Sequence, residues 1–392
     1  MKKILFILTL VICALFFGVP NNSATCFAVN KPTQDLIIID KEDVVQVSNS
    51  VDFPLFDRIF GKKENNEGKS INDVSKSEDM RVIVGGIPLG FTIYTHGVIV
   101  VGISEVETNV GKVNTIVNGD VEPGDVLLTL NNVEVNSADD ISNYLRTYTG
   151  EGQIVAKIKR GEIFKNIDIA PAIDSLTGEY KLGLWIRDNS AGVGTLTYVK
   201  TNGRFGALGH SVCDIDTGVI MPIEKGNVYK CNVVGVEKSK AGKPGELRGL
   251  FLKNGTPIGT LKSNTNVGVY GKIEDKKTIN ALGGEVEVAN ANEVKMGAAV
   301  LRTTIDGSKA TDYNIEIVKT SYINHSGQNS FVIKITDDRL LNATGGIVQG
   351  MSGSPILQNG KLIGAVTHVF VNDASRGFAI HIGEMIKDDN LS

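Results

Sequence analysis

The chain reads as mostly β, with a small α+β unit ahead of a larger all-β region of barrel or sandwich type. Three observations predict this. From residue 176 onward, short apolar runs follow one another at 194–200, 228–236, 247–252, 256–261, 267–273, 298–304, 314–319 and 331–335. Turn pairs such as Asn202-Gly203, Asn254-Gly255 and Asp306-Gly307 punctuate them, and many short strands at this spacing mark an all-β architecture. Residues 81–172 are mixed: a glycine-bracketed turn leads a strand at 82–93, a turn, strand and turn follow at 121–133, and 138–148 carries Ile141 and Leu145 at helical period before a closing strand at 154–158. Composition agrees, because 42% hydrophobic residues with 44 glycines and only 10 prolines in 392 residues describe a turn-rich globular chain of two or three domains rather than a disordered one.

The elements can be taken in order. Lys2-Lys3 precede an apolar run at 4–19, then Pro20-Asn21-Asn22-Ser23-Ala24. This is a secretory-type leader, and residues 1–29 are expected to act as a signal peptide or a marginal signal anchor, with export in either case. Residues 30–80 form a mostly polar connector, in which 35–40 can add a strand and 51–60 a short apolar patch before the Lys/Glu/Asn/Ser run at 62–78. Gly61 and Gly68-Lys69-Ser70 have the wrong spacing for a phosphate loop, and no apolar strand leads into them. Of the four cysteines, Cys13 and Cys26 fall in the leader region, which leaves Cys213 and Cys231 either bonded to each other or buried as free thiols. A formal charge of −4 offers no concentrated basic surface for nucleic acid.

The stretch with chemical content is Gly345-Gly346-Ile347-Val348-Gln349-Gly350-Met351-Ser352-Gly353-Ser354-Pro355. Glycines on both sides of a serine permit a tight backbone path that holds a hydroxyl clear of regular structure and aims N–H groups at a developing oxyanion, which makes Ser352 the candidate nucleophile. Two apolar runs around Asn359-Gly360 follow it as a β-hairpin signal. Five histidines can supply a base: His96, His210, His325, His368 and His381. His210 ends an apolar run in Phe205-Gly206-Ala207-Leu208-Gly209-His210-Ser211-Val212; His325 sits in a polar turn, and His368 and His381 are fallback bases close to Ser352 in sequence. No His-Glu-x-x-His or Cys-x-x-Cys pattern is present, so neither a metal nor another cofactor is expected.

Gly350-Met351-Ser352-Gly353-Ser354-Pro355 with its hairpin resembles the nucleophile region of trypsin-like serine peptidases. Residues 206–211 together with 348–355, behind an N-terminal apolar segment, resemble more closely the stage IV sporulation protein B peptidases of endospore-forming bacteria, over nearly the whole chain. Pro88-Leu89-Gly90-Phe91, with Val121-Glu122-Pro123-Gly124-Asp125 and the helix after it, resembles a PDZ domain. The implied fold is mostly β: a PDZ-like α+β domain at 81–172 followed by an all-β, trypsin-like double-barrel peptidase domain at 173–392.

The resemblance also implies roles. His210 is the base, Ser352 the nucleophile, and Asp337, where the family's acidic residue falls, the third triad member with Asp338 as its rival. The N–H groups of Gly350 and Ser352 would form the oxyanion hole, and those of Leu89, Gly90 and Phe91 a nest for a peptide carboxyl terminus. The acid that recruits Lys or Arg in trypsin-like enzymes lies six residues before the nucleophile, a place held here by Gly346. The implied biology is an exported serine endopeptidase that crosses the inner forespore membrane into the intermembrane space and cuts itself within 30–80. It would then cleave a membrane-associated regulator of an intramembrane protease that controls a late sigma factor. A different class remains open on the residues alone: a non-catalytic peptide-binding scaffold with a retired peptidase domain.

Overall fold

The computed structural model describes residues 80–391, apart from 241 and 324–327, together with two short strands at Phe27–Ala28 and Val44–Val47. The leader at 4–19, the expected strand at 35–40, the patch at 51–60, the run at 62–78 and His325 lie outside the described residues. No described helix is long and apolar enough to cross a membrane.

Two six-stranded β-barrels dominate. The first is closed by Pro88–Ile103, Leu184–Val199, Arg204–Ala207, Gly268–Ile273, Gly259–Thr265 and Ile223–Lys230, the last pairing back onto the first. Inward residues of alternating strands fill it: Phe91, Ile93, Leu196, Phe205, Val228, Leu261 and Val269 form one buried cluster. The second barrel closes in the order Gly297–Thr303, Thr311–Ile323, Asn329–Ile335, Asp373–His381, Lys361–Phe370 and Pro355–Gln358. Leu301, Ile315, Ile317, Phe331, Ile333, Ile356 and Val366 are its core. The hairpin expected at Asn359-Gly360 joins Pro355–Gln358 to Lys361–Phe370, with φ of 52° and 78° at the two turn residues.

The α+β unit carries the expected helix, Ala138–Thr147, whose N-cap Ser137 accepts a hydrogen bond from the Asp140 N–H. Ile141 and Leu145 face Leu127, Leu130, Ile154, Ile158, Ile167 and Ile169 in a separate core. Its position in the chain differs from the expectation. The long strand Pro88–Ile103 belongs to the first barrel at its start, pairing Leu89 with Gly194 and Lys230, and to the α+β unit at its end, pairing Val98 with Leu127. Leu184–Val199 returns alongside it in the same manner. The unit is therefore inserted between two strands of the first barrel, and a boundary at 172/173 assigns two paired strands to different domains. Local sequence patterns mark strands but not which edges they pair, which is why 88–95 could be read as part of the inserted unit.

That topology also corrects the peptide-binding assignment. Leu89, Gly90 and Phe91 lie at the start of a strand with partners on both edges (Gly194, Val193 and Gly192 on one, Lys230, Tyr229 and Val228 on the other), so they form no open nest for a carboxylate. The cysteines differ as well. Cys231 is a free buried thiol, its pKa pushed up to about 12 by burial, whereas Cys213 is disulfide-bonded; a Cys213–Cys231 bond is not formed.

The barrels are tied to each other. Thr304 Oγ1 donates to the Gly86 carbonyl at 2.9 Å, Val233 and Gly307 exchange backbone hydrogen bonds at 2.7 and 2.9 Å, and Thr197 Oγ1 donates to the Gly353 carbonyl at 2.8 Å. The C-terminal helix Ile382–Leu391 leaves the second barrel and docks on the first, where the fully buried Asp389 pairs with Arg204 and Lys200 and accepts from the Tyr198 hydroxyl at 3.2 Å.

Candidate active site

Residues 345–354 run from the helix Asp338–Thr344 to the strand Pro355–Gln358. Gly345 ends the helix in a left-handed conformation, with φ of 74°. Ile347 N–H then reaches the Ala374 carbonyl at 2.7 Å, and Gln349 is zipped to the chain at 245–247 by two backbone bonds, to Gly245 at 2.8 Å and from Leu247 at 2.9 Å. Ser352 Oγ donates to the Thr367 carbonyl at 2.9 Å. The Gly353 N–H reaches the neighbouring Val366 carbonyl at 2.8 Å.

A trans peptide points its C=O and N–H in opposite directions. Holding the Gln349 carbonyl on the Leu247 N–H therefore turns the Gly350 N–H the other way, and the Met351 carbonyl, held by the Ser354 N–H at 2.9 Å, does the same for the Ser352 N–H. Neither of these two N–H groups has a partner among the described residues. They are free donors on either side of Met351, one of them on the nucleophile itself, as an oxyanion site requires.

His210 is delivered by two successive left-handed residues, Leu208 at φ 70° and Gly209 at φ 72°. For leucine that conformation is strained, and the strain is held by a side chain buried in the first barrel's core. Gly209 lies against the second barrel: a Cβ there would stand 3.1 Å from Thr367 Cγ2 and 3.5 Å from the Val366 oxygen. The histidine loop and the serine loop thus meet on one short stretch, Val366-Thr367-His368. Nδ1 of His210 is 2.8 Å from the Ser211 carbonyl oxygen, which can only accept, so Nδ1 carries the hydrogen and Nε2 is the basic nitrogen. In a triad an acid makes that bond; here the chain's own carbonyl makes it.

The loops that carry Ser352 and His210 meet on 366–368, whereas the Asp337 carboxylate is engaged elsewhere. Asp337 is the N-cap of Asp338–Thr344, and its carboxylate accepts from the Arg339 N–H at 3.0 Å, from the Arg339 guanidinium at 3.0 and 2.8 Å, and from the Asn314 N–H at 3.1 Å. Those bonds, the guanidinium's first, hold it well below the usual carboxylate range. Asp338 is exposed on the same helix. The neighbour His210 does have is His368, with ring centroids 5.4 Å apart. His381 packs edge-on to Phe331 inside the second barrel, and His96 pairs with Glu224 on the surface at 2.9 Å. At Gly346, with φ of 134°, a Cβ would lie 2.1 Å from the Ala374 oxygen, so no side chain, acidic or otherwise, can stand there. A pocket for Lys or Arg is not built from that position.

Burial lowers the pKa of His210, and lowers that of His368 further, with the nearby His210 charge adding to the effect; burial also lowers His381. All three are neutral at pH 7, as a general base must be. The unfolded chain binds these protons near pH 6.5 and the folded chain only at lower pH. Folding stability is therefore complete above about pH 6.5 and declines as pH falls from there, by up to about 1.4 kcal/mol per pH unit for each group. Denaturant midpoints should drop measurably between pH 7.5 and 5.5, above the range where paired carboxylates titrate, and His368→Gln should flatten the slope. A flat profile in the wild type would contradict neutral burial of these rings.

A family model described as SpoIVB peptidase S55 matches residues 178–386. No curated protein matches the chain. Among solved structures, the inactive form of Rv3671c protease is similar with 18% identity and a TM-score of 0.30, covering 50% of this chain and 81% of that one. The active form of the same protease from M. tuberculosis has 17% identity and a TM-score of 0.26, covering 50% and 72%.

Proposed function

We infer that this chain, which belongs to the SpoIVB peptidase S55 family, is a serine endopeptidase that works by acyl transfer at Ser352 and acts outside the cytoplasm in sporulation signalling. One observation carries the catalytic part: the nucleophile loop and the histidine loop converge on Val366-Thr367-His368, with two unpaired N–H groups beside the serine. In the reaction the Ser352 hydroxyl leaves the Thr367 carbonyl and turns to His210 Nε2, which takes its proton as Oγ attacks the peptide carbonyl. The Gly350 and Ser352 N–H groups hold the oxyanion. The imidazolium returns the proton to the leaving amine, and a water deprotonated by the same nitrogen frees the acyl group. The Ser211 carbonyl, rather than Asp337, keeps the imidazole in the tautomer this needs.

The regulatory part of the reading rests on family membership and on the leader and connector. The substrate class is a membrane-associated regulator of an intramembrane protease that governs a late sigma factor. The peptide contact of the α+β unit is better suited to the groove of about 880 Å³ between Ala138–Thr147 and the strand beginning at Leu184 than to residues 89–91. Ile141, Leu145, Tyr180 and Ile186 line this groove, which fits an extended peptide laid beside a strand.

Self-processing tests the whole reading. A polar connector at 30–80 is tied to the catalytic domain, so its effective concentration there is high and a weak sequence preference suffices. N-terminal sequencing of purified protein over time should show new ends before residue 81 in the wild type and none in Ser352→Ala. Identical ends in both would assign the cuts to contaminating proteases.

A further inference from the structure

Resting on the serine-peptidase reading above, we propose that Thr195 of the first barrel is a positioning residue that sets the oxyanion hole from across the barrel interface. Four carbonyls fix the peptide planes on both sides of the two unpaired N–H groups. Two of them, Gln349 and Met351, are held by the Leu247 N–H and by the loop's own Ser354 N–H. Among the described residues the other two are held by Thr195 alone: its Oγ1 donates to the Gly350 carbonyl at 2.7 Å, and its N–H donates to the Ser352 carbonyl at 3.1 Å. Its own carbonyl accepts from the Leu208 N–H at 3.3 Å, at the turn that presents His210. One residue, only 3% exposed, thus touches both catalytic loops.

The chemistry requires such a brace. Gly350 stands at φ 93°, and a glycine has no side chain to restrict its rotation; the peptide between Gly350 and Met351 is held within the loop only by a 3.2 Å bond from the Met351 N–H to the Val348 carbonyl, and its carbonyl side rests on Thr195. An oxyanion donor misaimed by a peptide rotation loses its effect, and loss of one such donor lowers turnover by about 100-fold or more. Thr197, two residues along and on the same face of the strand, seizes the next carbonyl of the loop, at Gly353. The pair Thr195 and Thr197 forms a hydroxyl ladder on the nucleophile loop, with Thr195 the member that holds the Gly350 carbonyl.

The test replaces the hydroxyl and then restores it. Thr195→Val keeps shape and removes Oγ1; Thr195→Ser keeps Oγ1 and removes the methyl. With the full chain and a cleaved peptide as substrate, Thr195→Val should lose tenfold or more in kcat with KM within about threefold of wild type, and Thr195→Ser should stay within about threefold in kcat. Fluorophosphonate labelling of Ser352 should slow in parallel, since it too needs the oxyanion hole. Full kcat in Thr195→Val overturns the proposal. Should the valine variant not fold, the serine variant still decides: a tenfold loss of kcat in Thr195→Ser would mean that packing of the methyl, not the hydroxyl, matters. Absence of any Ser352-dependent cleavage in the wild type would instead remove the peptidase reading itself, and is read before either variant is made.

Discussion

Ser352→Ala is expected to abolish peptide cleavage, lowering the rate by on the order of 10⁴- to 10⁶-fold, while the protein keeps its fold. The hydroxyl makes one hydrogen bond, to the Thr367 carbonyl, on a partly exposed loop, so its loss opens no core cavity; what disappears is the covalent intermediate. His210→Ala should cost about as much, because the two side chains act as one proton-transfer unit, and the double variant should be no slower than either single one. Asp337→Asn belongs to a different class of effect. The carboxylate there caps a helix and binds Arg339, so its replacement is expected to act on stability more than on the chemical step. Steady-state kinetics on the four variants checks this. A double variant far slower than both singles would break the proposed coupling.

Gly353→Ala carries the second large effect. At φ 90° an alanine is strained, and its Cβ would stand 2.3 Å from the Thr195 oxygen and 2.4 Å from the Leu208 nitrogen, both backbone atoms that cannot swing away. The loop must then back off from the first barrel, which breaks the Thr197 bond to Gly353 and separates Ser352 from the histidine turn. Activity should fall below detection and stability by roughly 2 kcal/mol or more. Thermal melting beside fluorophosphonate reactivity reads both, and a variant with wild-type melting and wild-type reactivity would show that the two loops do not meet as described.

What could be read from the sequence was what local chemistry encodes. Glycines bracketing Ser352, the Gly209-His210 turn and the Asn359-Gly360 hairpin each depend on positive φ within a few residues, and each stands in the structure as read. Strand spacing predicted an all-β barrel or sandwich, and the double barrel was implied by the resemblance to trypsin-like peptidases. Pairing across distance was not readable in the same way. Leu89-Gly90-Phe91 has the look of a ligand loop until two other strands, far along the chain, take both its edges. Asp337 sits before Asp338-Arg339 at a helix start, a cap signal as much as a catalytic one, and the choice between them depended on where Asn314 and His210 lie in space. Thr195 and Thr197 left a trace that local reading can use, two threonines at spacing two on a buried strand, but only the fold says what that face meets.

The central claim is that Ser352 is a nucleophile activated by His210 in a preformed oxyanion site. The most direct measurement is covalent labelling of the purified protein with a fluorophosphonate, followed by peptide mass mapping. The account predicts a single phosphonylated site at Ser352, formed at pH 7.5, strongly slowed in His210→Ala and absent in Ser352→Ala. An unlabelled wild-type protein that is folded by thermal melting, or a label on a different serine, would contradict it and favour a binding scaffold built on a retired peptidase.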